Sequence, residues 1–249
     1  MSTEGPVISF QSVSKSFGSL KVLDQVSFDV GRGEAFCILG RSGTGKSVTI
    51  KSLIGLIRPD AGRIFVEGEE ISRLEGRDLA RVRKRMGFLF QYSALFDSIS
   101  VGDNVAFPLR RHTQLPEEEI SEIVEEKLER VGLPGISHKM PADISGGMRK
   151  RVGLARALAL NPSILLVDEP SSGLDPLTAG EIDELLLDLK QKEGATLVVV
   201  THNIPSARKI GDELAMLHQG RILAQGRPEE LERSEHDMVR EFMKTQGGT

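Results

Sequence analysis

Two kinds of hydrophobic pattern alternate along the chain, and they predict two kinds of element. Short continuous apolar runs with glycine or polar residues at their ends are typical of strands buried on both faces of a parallel sheet. Longer stretches with apolar residues three or four positions apart are typical of helices that bury one side. Runs of the first kind occupy residues 35–39, 88–90, 164–167 and 196–200. With helical patterns between them, they predict an α/β fold with a mostly parallel core sheet.

Two segments depart from this alternation. Residues 7–17 and 22–30 are rich in Val, Phe and Ser with partial alternation, which predicts an antiparallel β flank. From residue 92 to about 161 the pattern is helical, as in the apolar stripe of Glu117 to Val131 opposite a row of glutamates. We expect a helical lobe inserted in a single domain, with these bounds: domain 1–249, core 1–91 and 162–249, helical lobe 92–161.

The composition is that of a globular protein and narrows the function classes. Apolar residues make up 39% and charged residues 27% of the 249 residues, which excludes disordered and collagen-like classes. A net charge of −4 and a pI near 5.8 argue against broad attraction to nucleic acid, so we expect no nucleic-acid partner. The single cysteine, Cys37, excludes a disulfide framework within the chain and is expected to be a small buried hydrophobe.

The apolar runs are too short for a membrane span. None approaches the roughly 20 residues that a spanning helix needs. The first ten residues also lack the pattern of a secretory leader. We therefore expect a chain that is not secreted, and a membrane span, if the function needs one, would belong to a partner.

A glycine-rich loop between a predicted strand and a predicted helix carries the strongest chemical signal. Gly40, Gly45, Lys46 and Ser47 fit the pattern G-x-x-x-x-G-K-[ST], whose confirming context is that strand and helix. Glycines let backbone N–H groups approach phosphate, and the dipole at the start of a helix favours its negative charge. Lys46 would reach the terminal phosphates, and the Ser47 hydroxyl would bind Mg²⁺. We expect nucleotide contacts from Gly40, Arg41, Ser42, Gly43, Thr44, Gly45, Lys46, Ser47 and Val48.

Two acidic residues, Asp168 and Glu169, follow the apolar run at 164–167. By themselves they could be mere charge at a sheet edge. Ligands of open α/β sheets gather at the carboxyl ends of the strands, however, and this edge also holds the phosphate loop. Nucleotide hydrolysis needs Mg²⁺ on phosphate oxygens and a group that orients or deprotonates water. Asp168 suits the metal and Glu169 the water.

Four more motifs follow at plausible separations. In chain order they are Gln91, Ser145-Gly146-Gly147, Asp175 and His202. Together with the phosphate loop and the acidic pair, this order resembles that of an ABC-type ATPase, the nucleotide-binding subunit of an ABC transporter, over nearly the whole chain. In that family the motifs are the Walker A loop, the Q-loop, the signature motif, Walker B, the D-loop and the switch histidine.

The resemblance implies ATP and Mg²⁺ as cofactors and a P-loop NTPase fold. The implied Mg²⁺ ligands are Ser47, Gln91 and Asp168. These three residues are also counted among the residues of the nucleotide site. The implied catalytic residues are Glu169 on the attacking water, His202 on the γ-phosphate and Lys46 on the terminal phosphates.

The same resemblance implies a homodimer that closes on ATP, in which the signature loop of one subunit covers the ATP held by the other. Free amides at the start of a helix suit such a contact with phosphate. The further nucleotide contacts that the resemblance implies are Ser145, Gly146, Gly147 and Asp175.

Two further groups of side chains each have two interpretations. By resemblance, Phe17 would stack on adenine, where many relatives carry Tyr. From the residues alone, a Phe beside Gly18 anchoring a hairpin core is the simpler interpretation. The cations of Arg149-Lys150-Arg151 open a predicted helix and are expected to raise the positive potential felt by bound ATP, unless they form only a solvated face.

One departure from the family pattern indicates a subfamily. Met148 follows the signature glycines where the usual motif ends in Gln, and Met cannot donate the hydrogen bonds of an amide. With the segment 91–97 after the Q-loop strand, this variant is similar to the ATPases of Mla and MCE-associated lipid transporters. The similarity implies phospholipid transport between bacterial membranes, in the maintenance of outer-membrane lipid asymmetry.

The subfamily resemblance also implies partners and a location. The partners would be an integral membrane permease (MlaE-like), a substrate-binding MCE protein (MlaD-like) and a small STAS-domain protein (MlaB-like). The chain would be peripheral, at the cytoplasmic face of the bacterial inner membrane. Residues 92–107, just after Gln91, would form the surface that meets the permease.

Three other functions stay open at this point. Within the family, the nearest alternative is the ATPase of an importer for amino acids or another small solute. A soluble ABC ATPase of DNA repair or translation usually carries coiled-coil, zinc or duplicated ATPase insertions, which the pattern lacks. A phosphoryl-transferring P-loop kinase would need a separate acceptor pocket and would have no use for the signature motif.

Overall fold

The structure of the protein, a computed structural model, describes residues 5–244. The strands are β1 Ile8–Phe17, β2 Leu20–Val30, β3 Ala35–Leu39, β4 Ala61–Val66, β5 Glu69–Glu70, β6 Met86–Leu89, β7 Ile164–Asp168, β8 Thr196–Thr201, β9 Glu213–His218 and β10 Arg221–Gly226. The helices are α1 Lys46–Leu53, α2 Gly76–Arg83, α3 Val101–His112, α4 Glu117–Arg130, α5 Gly146–Leu158, α6 Pro176–Glu193, α7 Ile204–Ile210, α8 Pro228–Glu232 and α9 Asp237–Lys244, with a 3-10 turn at Pro141–Asp143. Within this range no helix combines the length and the apolar character that crossing a bilayer requires.

The central sheet has six strands in the order β10-β9-β3-β8-β7-β6. From β9 to β6 all neighbours are parallel, and β10 is an antiparallel edge strand. Every residue of β3, β6, β7 and β8 is buried. Because both faces of these strands are covered, their sequences are continuous apolar runs without polar alternation. The predicted parallel core is therefore confirmed.

The side chains of β3 show how this sheet separates two hydrophobic cores. Ala35, Cys37 and Leu39 join the core on one face, and Phe36 and Ile38 join the core on the other. Successive side chains of a strand point to opposite faces, so one strand contributes to both cores. Helices α3 to α9 cover the first core, and a second sheet with α1 and α2 covers the other. The strand that leads into the phosphate loop is thus held from both sides.

The second sheet is the predicted antiparallel flank, with four strands in the order β2-β1-β4-β5. The ring of Phe28 lies between those of Phe10 and Phe36, with centroids 4.5 Å and 4.8 Å away. Stacked rings of this kind add to the stabilisation from their buried area. Since Phe36 belongs to β3, this stack joins the flank directly to the central sheet.

The helical pattern predicted between residues 92 and 161 is confirmed by α3, α4 and α5, which pack on one another. In α4 the buried apolar residues Ile120, Val124 and Leu128 face inward, and the glutamates are exposed. α5 also contacts β6 and α6. The helix that follows the signature motif is therefore fixed to the central layer as well as to its neighbouring helices.

Candidate functional site

The loop between β3 and α1 has the backbone geometry of a phosphate site. α1 begins after Gly45, whose φ of +109° is one that residues with a side chain rarely adopt. A Cβ on Gly40 would lie 2.5 Å from the carbonyl oxygen of Leu217, so only glycine fits there. Among the described residues, α1 has neither a side-chain cap nor an acid in its first turn. Its first N–H groups are therefore available to an anion such as a nucleotide phosphate.

Lys46 is the first residue of α1, and its ammonium lies inside this loop. Nζ donates to the carbonyl oxygens of Gly40 at 2.8 Å and of Arg41 at 3.2 Å. It also lies 3.3 Å from Oε1 of Glu169. Lys46 is only 5% exposed, so these oxygens, rather than water, compensate its charge.

Glu169 follows β7 directly and has an unusual backbone conformation. Its φ is +48°, its N–H donates to the carbonyl oxygen of Val200 at 2.8 Å, and its side chain is buried. Its Oε2 lies 2.8 Å from Nδ1 of His202 and accepts the His202 backbone N–H at 3.3 Å. A left-handed residue other than glycine costs about 1–3 kcal/mol and persists where its surroundings impose it. The structure thus gathers Lys46, Glu169 and His202 in one cluster.

Ser47 and Asp168 meet beside that cluster as a pair of oxygen donors. The Ser47 hydroxyl donates to Oδ1 of Asp168 at 3.1 Å. Burial raises the pKa of Asp168, and the hydrogen bond from Ser47 opposes this effect. Hydroxyl and carboxylate oxygens are ligands that Mg²⁺ accepts, with phosphates completing its shell. The described residues contain no group of three or more His, Cys, Asp or Glu side chains that could hold a metal ion.

The side chain of Gln91 points to a different partner. Its Nε2 donates to the hydroxyl of Ser172 at 3.4 Å, in the segment between Glu169 and α6. Of the three predicted Mg²⁺ ligands, the structure joins Ser47 and Asp168 by a direct contact. The third, Gln91, instead contacts Ser172 in the D-loop region.

Lys150 also reaches this cluster, from α5. Its Nζ donates to the carbonyl oxygen of Glu169 at 3.1 Å and to that of Gln91. Lys150 is 3% exposed, and burial lowers its pKa to about 8 against the opposite effect of the nearby carboxylates. The sequence pattern groups Lys150 with Arg149 and Arg151, as cations that raise the potential at ATP or form a solvated face, and neither interpretation predicts its burial. The sequence did contain a signal for its burial. Lys150 lies about one and two turns before Leu154 and Leu158, on the same face of α5, and both leucines are buried.

The two cations beside Lys150 have other contacts. Arg149 donates to the carbonyl oxygen of Ile144 at 3.0 Å. Arg151 forms an ion pair with Glu181 on α6. Because Glu181 compensates the charge of Arg151, the predicted contribution to the potential at ATP rests mainly on Arg149.

The signature segment opens α5 and lies against α6. Ser145 is the N-cap of α5 and accepts the N–H of Met148 at 3.2 Å. A Cβ on Gly147 would lie 2.5 Å from Cγ2 of Thr178. The Thr178 hydroxyl donates to Asp175 at 2.6 Å, and this bond, with those from the backbone, lowers the pKa of Asp175. Asp175 is the N-cap of α6, so the signature segment is connected to the D-loop helix of its own chain.

Phe17 ends β1 with an exposed ring. The residue is 49% exposed, and Nζ of Lys15 lies 5.5 Å from the centroid of its ring. The interpretation of Phe17 as the anchor of a hairpin core is therefore wrong. An exposed ring beside a cation is instead suited to stacking on a base.

Comparison with known protein families shows to which family the chain that carries this site belongs. A family model described as ABC transporter matches residues 23–172, more than half of the chain. The chain belongs to the ABC transporter ATP-binding family. A second model, of an AAA domain, matches residues 140–207.

Relatives in this family carry two kinds of name. The chain is 46% identical over 239 residues to "Probable ribonucleotide transport ATP-binding protein mkl" of Mycobacterium leprae, which covers 96% of this chain and 69% of that protein. It is 41% identical over 237 residues to the intermembrane phospholipid transport system ATP-binding protein MlaF of Escherichia coli K12, which covers 95% of this chain and 88% of that protein. For MlaF of Haemophilus influenzae the identity is 40% over 238 residues, covering 96% and 90%.

Solved structures of ABC cassettes share the fold. The dimeric post-hydrolysis state of the ATP-binding cassette MJ0796 bound to ADP and Pi has a TM-score of 0.83 and 31% identity, and covers 88% of this chain and 98% of that one. The structure of cbiO1 from Clostridium perfringens, part of the ABC transporter complex cbiONQ, has a TM-score of 0.83 and 30% identity, and covers 96% and 94%. The predicted fold, family and enzyme class are thereby confirmed: the chain is an ABC ATPase, the ATP-hydrolysing subunit of a transporter, and it binds ATP or ADP.

Proposed function

We propose that this chain powers a transporter that moves phospholipid between bacterial membranes, as a peripheral subunit at the cytoplasmic face of the inner membrane. The main support is its likeness to MlaF of E. coli, 41% identical over 95% of this chain, whose name states intermembrane phospholipid transport. Met148 after the signature glycines is a second support, since this variant resembles that of lipid-transport ATPases.

In the proposed reaction the chain's own residues bind and orient MgATP. The N–H groups of the phosphate loop and the ammonium of Lys46 would hold the phosphates. Ser47 and Asp168 would hold Mg²⁺, which would supply positive charge to offset that of the phosphate oxygens. The carboxylate of Glu169 takes a proton from the attacking water. His202, whose Nδ1 lies 2.8 Å from that carboxylate, keeps it oriented and contacts the γ-phosphate. Gln91, whose amide donates to Ser172 in this structure, would have to turn towards Ser47 and Asp168 to serve as a third Mg²⁺ ligand.

We propose that a second copy of the chain completes each site. The MJ0796 cassette, 31% identical to this chain, is described as dimeric, which supports this assembly. The signature loop of one copy, with its Ser145 cap, would close over the ATP of the other, next to the D-loop residue Asp175. Phe17 would stack on the adenine. Each copy would be one domain over 1–249, with 92–161 as a lobe inserted between 1–91 and 162–249.

The proposed partners are a permease (MlaE-like), an MCE protein (MlaD-like) and a small STAS-domain protein (MlaB-like). Exposed aromatic residues support residues 92–107 as the surface that meets the permease. Tyr92 is 84% exposed, and the rings of Phe96 and Phe107, both about half exposed, lie 4.9 Å apart. Apolar groups kept in water in this way are typical of binding surfaces.

A second cargo has support of its own. Relatives 46–47% identical to this chain are named for ribonucleotide transport, although the chain covers only 67–69% of their length. An importer of amino acids or another small solute is a further alternative. The three proposals differ in the molecule that the permease would carry, whereas the role of the ATPase is the same in each.

A reconstituted transporter tests the proposal. The chain is purified together with its permease, placed in vesicles that contain a fluorescent phospholipid, and supplied with MgATP. Vesicles carrying the Glu169→Gln variant serve as the control for turnover. We expect phospholipid transfer that needs ATP and is lost in E169Q.

The competing cargoes are tested in the same vesicles. ATP-dependent uptake of a labelled ribonucleotide or amino acid, with no movement of phospholipid, would replace the lipid proposal by the corresponding alternative. Hydrolysis by E169Q at the normal rate would instead overturn the role of Glu169 and leave the cargo to be judged from the wild-type vesicles.

A further inference from the structure

Lys150 is a buried cation that joins the signature helix to two strand ends. Gln91 lies two residues after β6 and Glu169 one residue after β7, and these strands are neighbours in the parallel sheet. Lys150 donates to the backbone carbonyl oxygens of both residues. An ammonium has three donors, so a single side chain can satisfy both acceptors.

The carbonyl of Glu169 is where this contact matters for chemistry. Glu169 has a φ of +48°, and its backbone N–H is held by Val200 at 2.8 Å. Lys150 holds the opposite side of the same residue, 3.1 Å from its carbonyl oxygen. With both backbone groups bound, the residue stays in its left-handed conformation, and its side chain points to Lys46 and His202.

A second cation of α5 binds the segment that follows Gln91. Arg156 donates to the carbonyl oxygens of Ser93 at 2.5 Å and Ala94 at 2.7 Å. Ser93 and Ala94 both have positive φ, as Glu169 does. Of these two cations, Lys150 is the one that the structure also places on Glu169.

We propose that Lys150 is a positioning residue for ATP hydrolysis, which holds the Glu169 carboxylate in its working place and ties that place to α5 and to the Q-loop. Because α5 begins at the signature segment, a shift of that segment would reach Glu169 through a single side chain. The inference rests on the proposed roles of Glu169 and of the signature loop. Lys150 would act through the backbone of Glu169, to which it donates.

Lys127 provides a matched control. It is also a buried lysine, 2% exposed, but it lies on α4, and its ammonium pairs with Glu126 at 2.8 Å. Lys127→Met and Lys150→Met both replace a buried ammonium by an apolar side chain of similar length. Lys150→Gln keeps hydrogen-bond donors without the charge.

The test compares the four full-length proteins, wild type, K150M, K150Q and K127M, by kcat and KM for MgATP and by thermal unfolding. A misplacement of about 1 Å at a reacting group can cost about 100-fold in rate. We expect kcat of K150M to fall at least about tenfold with KM within about threefold, K150Q to recover most of the loss, and K127M to keep the wild-type kcat. If K150M does not fold, Lys150→Ala takes its place with the same thresholds.

The outcomes separate positioning from general stabilisation. A kcat within about twofold of wild type in K150M, an equal loss of kcat in K127M, or a K150Q as slow as K150M would each overturn the positioning role. E169Q is measured beside them: if it hydrolyses ATP normally, the proposed role of Glu169 fails, whereas slow E169Q with normal K150M overturns only the inference about Lys150.

Discussion

The ammonium of Lys46 lies 3.3 Å from a carboxylate oxygen of Glu169, and both side chains are more than nine-tenths buried. One residue opens the helix after β3 and the other directly follows β7, two strands away in the sheet. Buried opposite charges compensate one another, and removing one leaves the other without a partner. If Lys46 binds phosphate as proposed, a triphosphate that enters the loop would compete with Glu169 for its ammonium. The group proposed to bind phosphate and the group proposed to act on water are thus coupled directly.

Glu169→Gln tests this coupling first. The amide keeps the size of the side chain but cannot take a proton, and general-base catalysis typically contributes about 100- to 10,000-fold to a rate. We expect ATP turnover to fall at least about 100-fold while ATP binding persists, so that an ATP-bound dimer accumulates. Steady-state hydrolysis and size-exclusion chromatography with ATP measure the two effects.

A second glutamate is the control for that substitution. Glu34 immediately precedes β3, at the opposite end of that strand from the phosphate loop, and accepts the N–H of Gly31 at 2.6 Å. Glu34→Gln should hydrolyse ATP within about twofold of wild type. Equal turnover in E169Q and E34Q would remove Glu169 from its assigned role.

Phe17 is predicted to set the affinity for the base of the nucleotide. Stacking of a base on an aromatic side chain is worth about 1–3 kcal/mol, so Phe17→Ala should weaken ATP binding about 5- to 150-fold. Phe17→Tyr should stay near wild type because it keeps the ring. Leu20→Ala, an exposed apolar residue on the same hairpin, is the control. Titration with a fluorescent ATP analogue measures the affinities, and a loss in L20A equal to that in F17A would contradict the stacking role.

Gly147 is predicted to be restricted by a neighbour within its own chain. A Cβ at Gly147 would lie 2.5 Å from Cγ2 of Thr178. Apart from its chain neighbours and the adjacent backbone of its own helix, a Cβ at Gly146 would have no described atom within 4 Å. Gly147→Ala should therefore destabilise the fold by about 1–3 kcal/mol, as overpacking does. Gly146→Ala should leave the unfolding temperature nearly unchanged.

The close contact suggests its own suppressor. Thr178→Ser removes the methyl group but keeps the hydroxyl that donates to Asp175 at 2.6 Å. The double variant G147A/T178S should regain most of the stability that G147A loses, which shows as a non-additive double-mutant cycle in thermal unfolding. Strictly additive losses would mean that the contact with Thr178 does not limit this position.

Asp183 on α6 is predicted to make stability depend on pH. It is buried, and burial raises its pKa above the ordinary value of 3.8, although Ser206 donates a hydrogen bond to it at 2.5 Å. The ionised carboxylate is thus less favourable in the folded chain than in the unfolded one. This unfavourable contribution is fully present above the folded pKa and disappears as the pH falls through that pKa towards 3.8.

Asp183→Asn removes the charge and keeps an oxygen that can accept from Ser206. The variant should be more stable than wild type at about pH 8, and its advantage should shrink as the pH is lowered towards about 5. Urea unfolding at several pH values measures the difference. Asp188→Asn, on the exposed side of the same helix, is the control. An advantage of D183N that does not change with pH would show that its charge is not the cause.

Local sequence patterns determined most of the elements and the identity of the phosphate loop. A buried parallel strand is a continuous apolar run whatever its neighbours are, and a helix start such as Asp175 with Pro176 depends only on adjacent residues. The nucleotide motifs were recognisable for the same reason, since each is a short segment with its own backbone conformation.

Contacts between distant segments were decided only by the tertiary structure. Phe17, at the end of β1, is exposed, and Gln91 meets Ser172 because β6 and β7 are neighbours. The sequence groups Lys150 with Arg149 and Arg151, and only the packing of α5 against β6 shows that Lys150 is buried and donates to two carbonyl oxygens. Strand order and helix packing depend on the burial of the whole chain at once, so a sequence motif can name the residues of this site but cannot place one against another.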